Sequence, residues 1–167
     1  PSHSCGCYME SKLWGFYALS TDRSVVRQEV ANAADNERRL ATGPAFGWTG
    51  ELSSDTEAWP QFRHNPLRSG VSSTRVPASV TRKWSCQIGG RLTQPVVAGG
   101  KVLLAAVDQN AVLALDEETG EIAWEYVAGG RIDSPPAVHK GTVLFGCADG
   151  SVHCCRLSDG ERVWRFL

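Results

Sequence analysis

The chain has 167 residues, with 17 basic against 18 acidic side chains, and 42% of its residues are hydrophobic. This composition excludes a collagen, a coiled coil or a wholly disordered chain and is typical of an ordinary folded domain. A formal net charge of −1 provides no bulk field for nucleic acid or anionic lipid. No stretch approaches the roughly 18 apolar residues of a membrane span. Because the sequence starts at Pro1 and no signal peptide follows its single methionine, Met9, we expect a piece of a longer protein.

The N-terminal third differs in character from the rest of the chain. Residues 1–20 alternate enough to predict one or two strands that end a preceding β-domain. Residues 21–58 are charged and loop-rich, which predicts a polar linker with a marginal helix that starts after a Ser24 N-cap and reaches Leu40. Gly43 to Gly50 is typical of a loop. The composition changes near Trp59, where we place a domain boundary.

Six cysteines are scattered along the chain in a way that does not resemble a disulfide-dense small domain. They are Cys5, Cys7, Cys86, Cys147, Cys154 and Cys155. The spacing of Cys5 and Cys7 does not suit a zinc knuckle, so a local or longer-range disulfide is favoured for this pair and no metal site is predicted. The redox state of the six thiols stays open.

An internal repeat is the most informative feature of the sequence. Trp84, Trp124 and Trp164 are spaced by 40 residues, and Gly120 and Gly160 keep the same spacing. The segment from Gly89 to Pro95 recurs from Gly129 to Pro135. The second copy then has one additional residue, so that Asp108 aligns with Asp149, and it is one residue shorter in the following turn, which restores the spacing. Insertions confined to turns indicate a structural repeat.

Each repeat contains four short runs that favour strands, separated by turn residues. The predicted strands are Pro95–Ala98, Lys101–Ala106, Ala111–Leu115 and Ile122–Val127, then Pro136–Val138, Thr142–Cys147, Val152–Arg156 and Arg162–Phe166. Four strands per 40 residues are typical of a β-propeller blade. We therefore predict an all-β, partial β-propeller with two complete blades, about 94–127 and 134–167, plus a strand of a third at Lys83–Ile88. A WD40 propeller fits the period, but the WD dipeptide is absent.

The turn between the third and fourth strands of the first repeat carries a recognisable motif. It consists of Ala114, Asp116, Thr119, Gly120 and Trp124, and it resembles the tryptophan-docking repeat of PQQ-like, quinoprotein-type propellers. The second copy keeps Gly160 and Trp164 but replaces the alanine, aspartate and threonine. The segment from Trp59 to Gly70 is similar to the opening segment of many bacterial BamB-like propellers, so the resemblance covers 59–167.

The resemblance implies an exported, periplasmic location and raises the question of pyrroloquinoline quinone. In quinoprotein dehydrogenases a vicinal disulfide covers that cofactor, and Cys154 and Cys155 are adjacent. They align with Ala114 and Leu115 in a strand, where successive side chains point to opposite faces, so their sulfurs are not expected to bond. No cofactor is therefore expected, and the quinone is implied by the resemblance alone.

Arg91 and Arg131 occupy equivalent positions in the two repeats and are predicted to approach the same end of the central funnel. Repeated in further blades, they would form a ring that grips carboxylates or phosphates. The alternative is a solvated turn charge or an ion pair with an acid of a neighbouring blade. The four histidines, His3, His64, His139 and His153, look isolated, and Asp108 and Asp149 read as turn residues. No catalytic set stands out.

These observations predict a non-catalytic binding or scaffolding propeller. Its loops and funnel would face protein partners, the remaining blades or a small anionic ligand, with neither nucleic acid nor a membrane span involved. One alternative is a quinoprotein dehydrogenase whose calcium ligands and base lie in other blades. Another is a sensor or accessory propeller fused to a catalytic domain. Two blades alone are expected to expose open faces and aggregate.

Overall fold

The structure is a computed structural model that describes residues 39–50 and 58–167. Its strands are β1 Leu40–Thr42, β2 Val96–Ala98, β3 Lys101–Ala106, β4 Ala111–Asp116, β5 Ile122–Val127, β6 Ala137–His139, β7 Thr142–Gly146, β8 Val152–Arg156 and β9 Arg162–Phe166. A 3-10 turn at Val107–Gln109 follows β3. Among these residues no helix is long and apolar enough to cross a membrane. The predicted all-β fold is confirmed.

The strands form two antiparallel sheets that follow chain order. The first sheet is β2-β3-β4-β5, and the second is β6-β7-β8-β9 with β1 added beside β9. Each four-stranded meander is one predicted blade, and the strand bounds differ from the predicted ones by at most one residue. Both sheets also carry a register shift at the same place between their last two strands, at Ala114/Leu115 and at Cys154/Cys155. This shared irregularity shows that the two blades are copies of one structural unit.

The two blades pack through one apolar core. It combines Val96, Leu103 and Val112 of the first sheet with Phe145 and Cys155 of the second. The opposite face of the first sheet holds Leu104, Ala106, Leu113 and Leu115. Both faces of β4 are therefore buried, which explains its nearly continuous hydrophobic run.

Two expectations differ from the structure. Lys83–Ile88 forms no regular strand, because no described strand pairs with its backbone; Trp84 and Ile88 instead pack on the outer face of the first sheet. The predicted linker contains β1, which pairs with β9 from Leu40↔Phe166 to Thr42↔Trp164. This strand has exposed side chains throughout, so hydrophobic patterning could not reveal it. The strands predicted in 1–20 and the part of the helix predicted from Ser24 to residue 38 lie outside the described residues, whereas Leu40, its predicted last residue, begins β1 instead.

A strap at the predicted domain boundary joins the inner strands of both blades. Trp59 and Val97 exchange backbone hydrogen bonds of 2.7 and 2.8 Å, and the Val138 amide donates to the Pro60 carbonyl at 2.7 Å. The innermost strands, β2 and β6, are only three residues long. The strap therefore supplies backbone partners to strand edges that would otherwise lack them.

Candidate functional site

The two blades share one contact geometry, in which a tryptophan packs on a glycine-containing turn. The Trp124 indole Nε1 donates to the Leu157 carbonyl at 2.8 Å, and its ring covers Gly160 so closely that a Cβ there would lie 2.7 Å from Trp124 Cε3. Trp84 repeats both contacts one blade earlier, with a 2.9 Å bond to the Glu117 carbonyl and its ring over Gly120. Each indole thus docks on the last turn of the following blade. Both glycines have positive φ, which L side chains rarely adopt.

The docking turn of the first blade is organised by Asp116. Its Oδ1 accepts the amides of Glu118 and Thr119 at 2.9 and 3.0 Å, and Thr119 Oγ1 accepts the Glu121 amide at 3.2 Å. The amide of Thr119, followed by that of Glu118, holds the pKa of the Asp116 carboxyl below its usual value. Ala114 lies across the ladder from Trp124. The motif residues are thus used in building the turn and placing the indole.

The second blade keeps this turn with different chemistry. Asp159 takes the place of Thr119 and accepts the Glu161 amide at 3.1 Å, while Arg156 replaces Asp116 and donates from Nε to Asp159 at 2.9 Å. The Arg156 guanidinium lowers the pKa of the Asp159 carboxyl. An ion pair has therefore replaced an Asx-type turn. Trp164, the third tryptophan of the repeat, is partly buried against a cluster of Ala45, Cys154 and Val163.

Arg91 and Arg131 lie at the same end of the two sheets, next to the β3–β4 and β7–β8 turns. Their carbonyls accept the amides of Val107 and Ala148 at 2.9 and 2.7 Å. We call this end, defined by Arg91, Arg131 and the two turns, the arginine end.

Both guanidiniums at the arginine end already have acidic partners within the chain. Arg91 donates to Asp108 from its backbone amide at 2.8 Å and from its guanidinium at 3.3 Å, and the amide bond is the main reason that the pKa of Asp108 is lowered. Arg131 Nε donates to Asp133 at 2.8 Å. Both arginines form ion pairs, but with acids of their own repeat and not with an acid of a neighbouring blade. An anion site here remains a prediction.

The adjacent cysteines of β8 point to opposite faces, as the strand position predicts. Cys155 lies in the core between the sheets, whereas Cys154 belongs to the cluster on the other face. Both are free thiols, and burial raises the pKa of Cys155 to about 12. These residues supply no quinone-covering disulfide. Cys86 is free and exposed, Cys147 is free and buried, and Cys5 and Cys7 lie outside the described residues.

A polar cluster that the sequence analysis missed lies in the seam between the blades, with Ser151 and His153 buried and Asp149 exposed. The Ser151 hydroxyl donates to Asp149 Oδ1 and lies 2.8 Å from His153 Nε2, while His153 Nδ1 lies 2.9 Å from the Tyr126 hydroxyl. An ionised carboxylate only accepts hydrogen bonds, so the Ser151 hydroxyl donates to Asp149. The Ser151 oxygen then accepts from His153 Nε2–H, and the remaining ring nitrogen, Nδ1, accepts from the Tyr126 hydroxyl. Cys147 lies beside this chain of bonds. We call these five residues the Asp149 cluster.

Electrostatics within the Asp149 cluster follow from its hydrogen bonds and burial. The Ser151 hydroxyl and amide lower the pKa of Asp149 to about 2. Burial lowers the pKa of His153 and raises that of Cys147. The signal that could have revealed the cluster is the alternation of Asp149, Ser151 and His153, which places all three on one face of a hairpin. Of the other described histidines, His64 packs against Trp59 with ring centroids 5.0 Å apart, and His139 is exposed.

Known proteins resemble most of this segment. Residues 67–166 match the family described as outer membrane protein assembly factor BamB. The assembly factor BamB of Nitrosomonas eutropha is 29% identical over 54% of this chain and 22% of its own length. The DNA damage-responsive serine/threonine-protein kinase RqkA of Deinococcus radiodurans is 31% identical over 81% of this chain and 21% of its own length.

A solved structure of BamB from Moraxella catarrhalis is 26% identical, with a TM-score of 0.39, over 43% of this chain and 23% of that one. The chain thus spans about a fifth of the length of each of these proteins. The matched residues include both blades, from the segment before Trp84 to the last strand of the second blade. On this match, the chain belongs to the BamB family of PQQ-like propeller repeat proteins.

Proposed function

We propose that this chain is a binding and scaffolding segment of a larger propeller, without catalytic chemistry of its own. One observation carries the proposal: the family's motif residues, Asp116, Thr119 and Trp124, are all engaged in turn formation and blade docking. They hold one blade on the next and leave the end loops as the part free to meet a partner. The relatives named as outer membrane protein assembly factors favour a protein partner in the periplasm.

The surface proposed for this contact is the arginine end. Arg91 and Arg131 are more than half exposed there, each beside an exposed acidic partner, Asp108 and Asp133. Exposed pairs of this kind contribute little to stability, so their guanidiniums can exchange partners at small cost. A carboxylate-bearing protein surface or a small anionic ligand would compete with Asp108 and Asp133 for the guanidinium groups of Arg91 and Arg131.

A second candidate is a sensor or accessory propeller joined to a catalytic domain. The match to a DNA damage-responsive kinase favours it, because that match covers 81% of this chain but only 21% of the kinase. Under this alternative the same blades would bind a signal molecule and regulate a separate active site. The quinoprotein alternative has no comparable support from the described residues, whose adjacent thiols lie on opposite faces of β8.

Site-specific photo-crosslinking of the full-length protein in its own cells tests the proposal. A photoreactive residue at Asp133, on the arginine end, should capture a discrete protein, and Arg91→Ala with Arg131→Ala should reduce that capture. A photoreactive residue at exposed Glu118, on the docking turn at the other end, is the matched control and should capture nothing comparable. Equal capture at both positions, no capture at Asp133, or quinone-dependent alcohol oxidation by the purified protein would contradict the proposal.

A further inference from the structure

The Asp149 cluster contains three side chains of the types that bind zinc. The Cys147 sulfur, a carboxylate oxygen of Asp149 and a ring nitrogen of His153 all lie within 4.8 Å of one another. Ligand atoms around tetrahedral zinc are about 3.3–3.8 Å apart at the usual bond lengths of 2.0–2.3 Å. Shifts of about 1 Å or less in these side chains would bring the three donors into a coordination shell.

Comparison of the two blades shows that this donor set is an addition to the common scaffold. Aligned through the β-ladders, Cys147, Ser151 and His153 take the places of Ala106, Ala111 and Leu113 in the first blade. Those three residues are fully or almost fully buried and apolar. Only the aspartate is shared, since Asp149 corresponds to Asp108. The fold therefore does not require a thiol or an imidazole at these positions.

The surroundings hold the donors in place. His153 is 3% exposed and is stacked on Phe145, with an interplanar angle of 5°. The Tyr126 hydroxyl forms a hydrogen bond with Nδ1 at the edge of the ring. A metal-bound histidine usually passes its second ring N–H to an outer acceptor, and the Tyr126 hydroxyl is placed to accept it. Cys147 is buried, whereas Asp149 lies at the hairpin, so the site opens to solvent on the carboxylate side.

We propose that Cys147, Asp149 and His153 form a zinc site, with a solvent molecule in the fourth position. Binding exchanges the bond between His153 Nε2 and Ser151 for a bond to the metal, and the ring proton moves to Nδ1. The Cys147 thiol loses one proton to solvent, so one proton is released per metal bound. Before the metal binds, the positive charge of Arg165, whose Nη2 lies 3.9 Å from Asp149 Oδ2, balances the negative charge of the carboxylate. After binding, the negative charge of the Cys147 thiolate offsets part of the charge of the metal ion.

Cobalt(II) titration of the reduced, metal-stripped, full-length protein tests this site. Wild-type protein should take up one Co²⁺ with a thiolate-to-cobalt charge-transfer band, and one equivalent of Zn²⁺ should abolish the band. Cys147→Ala and His153→Leu, which restore the first-blade residues, should each remove it, while Cys86→Ser, at the exposed thiol, should leave it unchanged. Ser151→Ala should bind at least as tightly as wild type, because no hydroxyl then competes for His153.

The wild-type spectrum decides the proposal even if a variant fails to fold. Absence of the thiolate band in wild-type protein overturns it, as does a band that persists in folded Cys147→Ala. Tyr126→Phe keeps the packing and removes only the outer hydroxyl, so it should weaken zinc binding about 10-fold or more. Unchanged affinity in that variant would contradict the proposed coordination through His153.

Discussion

At the scale of single residues, the indole of Trp124 makes the contact that most clearly joins the two blades. It is 8% exposed and satisfies its N–H on the Leu157 carbonyl, so its removal would leave both a cavity and an unpaired acceptor. We expect Trp124→Ala to lower the free energy of unfolding by about 3–5 kcal/mol. Urea denaturation measures this change, with the exposed aromatic Phe62→Ala as the control. Equal midpoints for both variants would contradict the docking role.

His153 makes stability depend on pH. Burial depresses its folded-state pKa below the ordinary value of 6.5, so the folded state binds fewer protons than the unfolded state in this window. Its contribution is complete above pH 6.5 and is lost as the pH falls towards the folded-state pKa, with a slope of at most about 1.4 kcal/mol per pH unit. Asp149 partly opposes this depression, while Arg165 and Arg162 add to it.

Chemical denaturation in the presence of a chelator, at pH values from 7 to 5, measures this slope. His153→Leu should flatten it, whereas His139→Ala, at an exposed histidine, should not. Identical slopes in wild type and His153→Leu would show that the imidazole is not held neutral by burial.

At the scale of elements, β1 extends the second blade through contacts that depend on Gly43. Its amide donates to the Val163 carbonyl at 2.8 Å, and a Cβ at this position would collide with the Arg162 carbonyl. Gly43→Ala should detach β1 from β9 and increase amide hydrogen exchange in β9. Gly89→Ala is the control, because a Cβ there meets nothing within 4 Å. Unchanged exchange in Gly43→Ala would argue against this pairing.

The strands and the blade period could be predicted from the sequence because each blade combines hydrophobic runs with turn residues at fixed spacing. β1 could not be predicted, since its three exposed residues carry no alternation. The Asp149 cluster was missed for another reason: Tyr126 joins it from the first blade, 27 residues away from His153. The bonds among Asp149, Ser151 and His153 are local to one hairpin, but the link to Tyr126 exists only after the blades dock. The repeat alignment gave Arg91 and Arg131 equivalent positions, whereas their pairing with Asp108 and Asp133 could be read only from side-chain geometry.

At the scale of the whole molecule, the blade and the tryptophan contact that joins it to its neighbour are the repeating unit. Trp84 docks on the first blade as Trp124 docks on the second, so the first blade both receives an indole and supplies one to the next blade. In repeat proteins of this kind, stability is approximately a sum of blade terms and interface terms. The free energy of the interface between blades therefore decides whether neighbouring blades fold together as parts of one propeller.

A double-mutant cycle between Trp124 and Gly160 measures that interface term in the full-length protein. Gly160→Ala combines strain at a φ of +74° with a clash against the indole, whereas Gly150→Ala carries strain at a φ of +88° with nothing within 4 Å. We predict that Gly160→Ala costs less in a Trp124→Ala background, with a coupling of about 0.5–3 kcal/mol. Gly150→Ala should cost the same in either background. Additive effects at Gly160 and Trp124 would contradict tryptophan docking between the blades.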